Sequence, residues 1–162
     1  MNILSIDLSL NHFGYALFQD NEMIKYGNKE TLKYKKDLYG RENIIYDFFR
    51  NFLIENNVDI ILVEKFFIQN NNKTYGQLQI LQGLVLSLSF LYKISFEMLN
   101  IGTYRKVLKI QGRKSDEIKI EVESRILKQY PAVINDKHFD ITDAIAINLA
   151  YRIQEKIYSE FN

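Results

Sequence analysis

The chain contains no cysteine, which removes disulfides, thiolate metal sites and thiol redox chemistry, and suits a reducing compartment. It has no charge excess to speak of: 21 Lys and Arg stand against 20 Asp and Glu, so global charge gives no argument for a polyanionic partner, and any basic surface must be local. It has no long apolar run. The most apolar stretch, Leu84 to Tyr92, is interrupted by Ser87 and Ser89 and falls short of the roughly 20 residues a membrane span needs. The opening Met1-Asn2-Ile3-Leu4 has no basic leader pattern, so a soluble protein of the cytoplasm is expected, with no membrane partner. Internal repeats and low-complexity linkers are also missing.

What is present is apolar residue in quantity. Over 162 residues, 47% hydrophobic and 14% aromatic content can bury a substantial core, and the length favours one domain, 1–162, over two. Asn2 to Ser9 alternates and is rich in branched residues, which predicts a strand. Asn11-His12 turns into a second run, Phe13 to Phe18, and Asp20-Asn21 into a third through Ile24 and Tyr26, so the first three strands form an antiparallel meander. Apolar residues at helical spacing predict a helix over 37–56, closed by Asn56-Asn57. Val58 to Val63 reads as a buried strand, Asn70-Asn71-Asn72 as a loop, and the pattern through Leu78, Leu81, Val85 and Leu88 as a long helix whose apolar residues serve the core. Ile94 to Leu99 is the fifth strand. A basic segment follows from Thr103 to Lys114, then an amphipathic helix from Asp116 to Lys128, a break at Pro131, and a last helix from Asp140 to Lys156. The fold class expected is α/β, a central mixed five-stranded sheet flanked by helices.

Carboxylates interrupt this apolar pattern. Asp7 sits in the first strand, where a carboxylate is costly to bury unless it is paired or binds a cation. Glu64 directly follows Ile60-Ile61-Leu62-Val63, at the carboxyl end of a core strand, where open α/β sheets place their ligands and where plain surface acids are also common. Asp140 and Asp143 fall at i, i+3 on an apolar helix start, which puts them on one face about 5 to 6 Å apart. Acids also favour helix amino termini through capping and the macrodipole, so that pair alone is ambiguous. Together, the acids from three elements are a donor set for hard divalent cations, Mg2+ or Mn2+. A pair of such ions roughly 4 Å apart activates water and steadies the leaving oxygen of a phosphodiester.

The order of these acids carries a resemblance. Ile6-Asp7-Leu8-Ser9 with Gly14-Tyr15-Ala16 downstream, Val63-Glu64-Lys65-Phe66-Phe67, and Asp140-Ile141-Thr142-Asp143-Ala144-Ile145-Ala146 resemble the RuvC-type Holliday junction resolvases, particularly the compact versions carried by phages. The likeness extends over nearly the whole chain, including Gly76-Gln77 and Gly83 in the long helix. It implies an RNase H-like fold, a homodimer, and paired symmetric incisions across a four-way DNA junction with Mg2+ or Mn2+; whether cutting extends to other branched DNA, forks and flaps, is left open by the sequence. It further implies that Asp7, Glu64, Asp140 and Asp143 are the catalytic, metal-holding acids. Phe67 matches an aromatic that stacks on opened bases, with a core position as its plain alternative. Between Gly102 and Lys119 the family carries lysines that contact the scissile phosphate. The match around Gly112-Arg113-Lys114-Ser115 is imperfect, and Lys114, then Lys106, are the candidates.

Independently of that likeness, Arg105 to Lys114 holds Arg105, Lys106, Lys109, Arg113 and Lys114 with no acid, a local basic patch suited to DNA phosphates or to a solvated face. Lys33, Lys35 and Lys36 with Tyr34 form a weaker cluster that reads as surface. His12 reads as turn surface and His138 lies two residues before Asp140; neither receives a role. The opening strand, acid and turn also resemble the actin-like phosphotransferases, but those need a second, glycine-rich phosphate loop, and the seven glycines here form no such cluster. A non-catalytic junction-binding module of the same fold is the remaining alternative, set against the presence of all four acids.

Overall fold

The computed structural model describes residues 1–33, 37–65, 72–136 and 139–156. Strands β1 (Asn2–Asp7), β2 (His12–Gln19) and β3 (Glu22–Glu30) form the antiparallel meander that the turns at 8–11 and 20–21 predict. Helix α1 (Leu38–Asn56) follows, its first turn capped by Asp37, whose carboxylate accepts from the Gly40 N–H. Asn57, in the left-handed region at φ 45°, ends it, a conformation asparagine tolerates better than most residues.

Strand β4 (Ile60–Lys65), helix α2 (Asn72–Tyr92) and strand β5 (Ser95–Asn100) complete the sheet, whose order is β3-β2-β1-β4-β5. β4 lies parallel to both β1 and β5, so the expected mixed five-stranded sheet is present. Beyond it come α3 (Ile101–Val107), α4 (Ser115–Gln129), a 3-10 turn at Pro131–Asp136, and α5 (Phe139–Gln154). Helix α3 lies inside the basic segment that sequence reasoning leaves irregular. It is only seven residues long, too short to show a period, and is anchored by buried Tyr104 and by Leu108 just past its end.

Alternation along the strands distributes the core to two faces. Leu4, Ile6, Phe13, Leu17, Ile61 and Val63 pack with α1 and α2, where Ile45, Phe49, Leu81, Val85 and Leu88 are buried. Ile3, Ala16, Phe18 and Leu62 face α4 and α5, against Val122, Ile126, Ile141, Ile145 and Leu149. Helix α5 is almost wholly enclosed, which explains its nearly unbroken apolar sequence.

Two features fix α5 on the sheet. Asn148, fully buried, donates from Nδ2 to the Ile3 carbonyl at 3.0 Å and to Ser5 Oγ at 3.2 Å, and that hydroxyl donates to the Ala16 carbonyl. At its start the helix rests on Gly14 of β2, where a Cβ would stand 2.0 Å from the Asp140 carbonyl oxygen. Such polar pins in an apolar layer specify one docking register where hydrophobic contact alone is permissive.

Candidate metal and nucleic-acid site

Asp7 ends β1, and the parallel register that pairs Ile6 with Val63 brings Asp7 and Glu64 to the same level of neighbouring strands. Both sit one residue beyond inward-facing Ile6 and Val63, so by alternation both project toward α5. There Asp140 and Asp143 stand in the first turns of the helix, with Asp140 buried and the other three half-buried. The Gln82 side chain on α2 donates to the Glu64 carbonyl at 2.7 Å and steadies the end of β4.

The electrostatics show how closely these groups crowd. Burial pushes the Asp7 carboxyl well above the usual carboxylate range, and repulsion from Asp143, Asp140 and Glu64 adds to it, with Lys119 opposing. Burial and the Asp143 charge raise Glu64 to about 7, against the pull of Arg105. Asp143 rises to about 6, chiefly through burial, with Lys119 and Arg105 lowering it and Asp140 raising it. Buried Tyr104 on α3 is raised by burial and then by Asp143 and Glu64, so its hydroxyl stays protonated beside the acids.

The donor set suits hard cations, being four carboxylates without a thiolate. As they stand, no group of three or more His, Asp or Glu side chains among the described residues is gathered tightly enough to hold an ion. Mutual repulsion of clustered carboxylates opposes such closure and a cation reverses it, so the fit lies in the kind and convergence of the donors.

Two cations bear on the acids, and only one was a candidate from sequence. Arg105 on α3 acts on Glu64 and Asp143. Lys119, on the exposed side of α4's first turns, acts on Asp7 and Asp143, and its ammonium lies 5.7 Å from the centre of the Phe139 ring. Nothing in its spacing separates Lys119 from other helix-surface lysines. Lys106, Lys109, Arg113 and Lys114 are exposed along the same stretch. Lys114 is the N-cap residue of α4, and it does not figure among the charges acting on the acids.

Glu121 and Arg125 of α4 organise this basic segment. The Glu121 carboxylate accepts from the Gln111 and Gly112 N–H groups, while the Arg125 guanidinium donates to the Leu108 and Lys109 carbonyls and to Glu121. Glu117 accepts from the Arg113 and Lys114 N–H groups. A chain rich in basic side chains is thereby held by its backbone, leaving those side chains outward.

His12, assigned to turn surface by sequence, belongs to the site: its Nδ1 stands 2.5 Å from Asp140 Oδ2. Phe67, His138, Tyr34, Lys35 and Lys36 lie outside the described residues.

No sequence-family profile matches the chain, and no curated protein sequence does. Solved structures do. RuvC of Thermus thermophilus, in complex with a Holliday junction substrate, superposes at TM-score 0.74 over 97% of this chain and 96% of that one, at 15% identity. The chain has the RuvC fold. The yeast mitochondrial Holliday junction resolvase Ydc2 matches at TM-score 0.71 over 96% of this chain and 79% of its own, at 14% identity. Fowlpox virus resolvase, in complex with Holliday junction DNA, matches at 0.59 over 92% and 97%, at 18% identity. The RuvC fold is the RNase H-like architecture expected from the order of the acids, with β3-β2-β1 antiparallel and helices on both faces.

The raised acids set a pH dependence. A carboxyl group whose folded value exceeds its unfolded one contributes stability that is complete below the unfolded value and lost as pH climbs through the folded value. For Glu64, from 4.5 to about 7, and Asp143, from 3.8 to about 6, the metal-free protein should lose stability between pH 4 and 7. Urea midpoints of wild type and Glu64→Gln across pH 4.5 to 8 check this: the variant gains on wild type as pH rises, and a constant difference would refute the crowding.

Proposed function

We propose that this protein is a divalent-cation-dependent endonuclease that resolves four-way and related branched DNA junctions. The observation that carries the proposal is that Asp7, Glu64, Asp140 and Asp143, from two adjacent strands and a helix, act on one another's charges, with the Asp7, Glu64 and Asp143 carboxyls raised and Arg105 and Lys119 opposing. The RuvC fold supports it, since two of the superposed resolvases were solved on Holliday junctions.

In this reading Asp7, Glu64, Asp140 and Asp143 would hold Mg2+ or Mn2+, two ions per site, since the charges of the other three acids all act on Asp7. When bound, such ions activate water and neutralise the leaving oxygen. The protein's part is to keep the acids oriented and partly shielded, and to supply cationic side chains to the DNA backbone. Lys119 and Arg105 stand nearest the acids and receive the scissile phosphate; Lys106, Lys109, Arg113 and Lys114 extend the track along flanking phosphates. Phe67, three residues past Glu64, is assigned to stacking on an opened base, an interaction worth about 1 to 3 kcal/mol.

Paired incision requires two sites, and we assign a homodimer. Helix α2 supports it by presenting Ile80, Phe90 and Leu91 at 52%, 74% and 63% exposure, apolar surface of a kind monomers usually limit. The test is direct. Synthetic four-way, fork, flap and duplex substrates are incubated side by side with Mg2+ and with Mn2+. Symmetric nicks in the junction, with linear duplex spared, are expected; no cleavage of any branched substrate with either ion would refute the assignment.

A further inference from the structure

We propose that His12 is a positioning residue of the carboxylate cluster, holding one oxygen of Asp140 so that the carboxylate is presented to the cation in a single orientation. The proposal rests on the reading of the four acids as cation ligands.

The contact joins residues 128 positions apart: His12 Nδ1 to Asp140 Oδ2 at 2.5 Å. An ionised carboxylate only accepts hydrogen bonds, so Nδ1 carries the hydrogen whether the ring is neutral or charged. The backbone explains why the ring is there. His12 and Gly14 are two apart on β2 and share a face, and Gly14 is where the first turn of α5 rests directly on the strand, its Cβ position 2.0 Å from the Asp140 carbonyl oxygen. The glycine brings the helix backbone down; the histidine, next along that face, meets the side chain of the same aspartate.

The segment bearing His12 is built to stay put. The Asn11 carbonyl accepts from the Thr31 and Leu32 N–H groups at 2.7 and 3.2 Å, and the Thr31 hydroxyl donates to the Leu10 carbonyl. Arg41 of α1 donates to Asn11 Oδ1 at 2.5 Å, and the His12 N–H reaches Ser9 Oγ at 3.4 Å. Thr31 is completely buried, so its hydroxyl bond to the Leu10 carbonyl is screened from water. The side chain of Asp140 is 13% exposed against 43% for His12, so the ring stands at the solvent side of the aspartate. A carboxylate with two rotatable bonds is thus anchored through its Oδ2. Outer partners of this kind govern metal affinity by about 10- to 100-fold.

Mn2+ titration by calorimetry, with metal-free urea midpoints measured alongside, tests this in wild type, His12→Ala, His12→Asn and His12→Gln. Asparagine puts an N–H donor at the δ position, where the ring nitrogen now sits; glutamine puts it one atom farther out. His12→Ala should bind Mn2+ at least 10-fold more weakly while unfolding at nearly the wild-type midpoint, and His12→Asn should recover affinity to within about threefold of wild type. Nitrogen-15 correlation spectra of the metal-free protein should show His12 protonated at Nδ1. Unchanged affinity in His12→Ala overturns the proposal, as does rescue by glutamine in place of asparagine, which would make the far ring nitrogen the working atom. Should wild type itself take up no Mn2+, the cation reading of the acids fails, and the proposal falls with it; the two failures are separated by the wild-type titration.

Discussion

Replacing Asp7 with asparagine should abolish cleavage of a four-way junction, by about 10^3-fold or more, while junction binding stays within a few-fold of wild type. The charge on Asp7 is disfavoured by burial first and then by Asp143, Asp140 and Glu64. In the proposed site Asp7 would be a cation ligand, so its loss would remove a negative charge needed only when cations are present. DNA binding is expected to survive because the cations proposed to meet the phosphates, Arg105 to Lys119, lie on other elements. The same substitution should raise the melting temperature of the metal-free protein. Relief of desolvation and repulsion is worth on the order of 1 to 2 kcal/mol, which in a chain of this length is roughly 2 to 8 °C. Gel assays with Mg2+ and Mn2+, binding by fluorescence anisotropy and thermal melts read the three effects separately. Undiminished cutting would dismiss the site; a lower melting temperature would dismiss the crowding.

Gly14→Ala is expected to damage folding and cation binding together. The new Cβ would meet backbone, the Asp140 carbonyl oxygen at 2.0 Å, its carbon at 2.2 Å and the Ile141 nitrogen at 2.7 Å, and backbone cannot swing aside as a flexible side chain can. Either α5 lifts from β2 or the strand bends, and overpacking of this sort costs about 3 kcal/mol or more. The functional consequence goes beyond stability. Asp140 and Asp143 ride on the part of α5 that must move, while Asp7 and Glu64 stay on the sheet. Mn2+ affinity should therefore collapse even at low temperature, where the variant remains folded. Urea denaturation and Mn2+ titration of the folded variant measure the two parts; a wild-type midpoint with wild-type affinity would contradict the close approach. By contrast Gly83, around which a Cβ would meet nothing within 4 Å, should accept alanine without loss of folding.

How much of this was legible in the residues depends on whether a residue violated its surroundings. Asp7 and Glu64 stand out because a carboxylate at the end of a branched, apolar strand contradicts the strand's own pattern, and Asp140 and Asp143 because they share a face of an otherwise apolar helix. Alternation and turn chemistry likewise mark β1, β2, α1, β4 and β5 to within about two residues, the usual uncertainty of element ends, whereas β3 runs on to Glu30, past Tyr26, and α2 begins at Asn72, which reads as loop in the sequence. Helix α3 escapes notice because seven residues with a basic outer face show too little period to register.

His12 and Lys119 escape for a different reason. A histidine after a turn and a lysine on an amphipathic helix are ordinary where they stand, and only their neighbours across the fold give them meaning. The Asp140 carboxylate that meets His12 is 128 residues away, and Lys119 bears on Asp7 and Asp143 because α4 packs beside α5. Sequence by itself determined the kinds of element other than α3, the mixed sheet and the choice of four carboxylates as candidates, because hydrophobic period and the cost of burying charge are local and additive. The tertiary structure alone decided which side chains hold and shield those carboxylates, because that depends on the docking of α5 at Gly14 and Asn148, a packing contact no local pattern encodes.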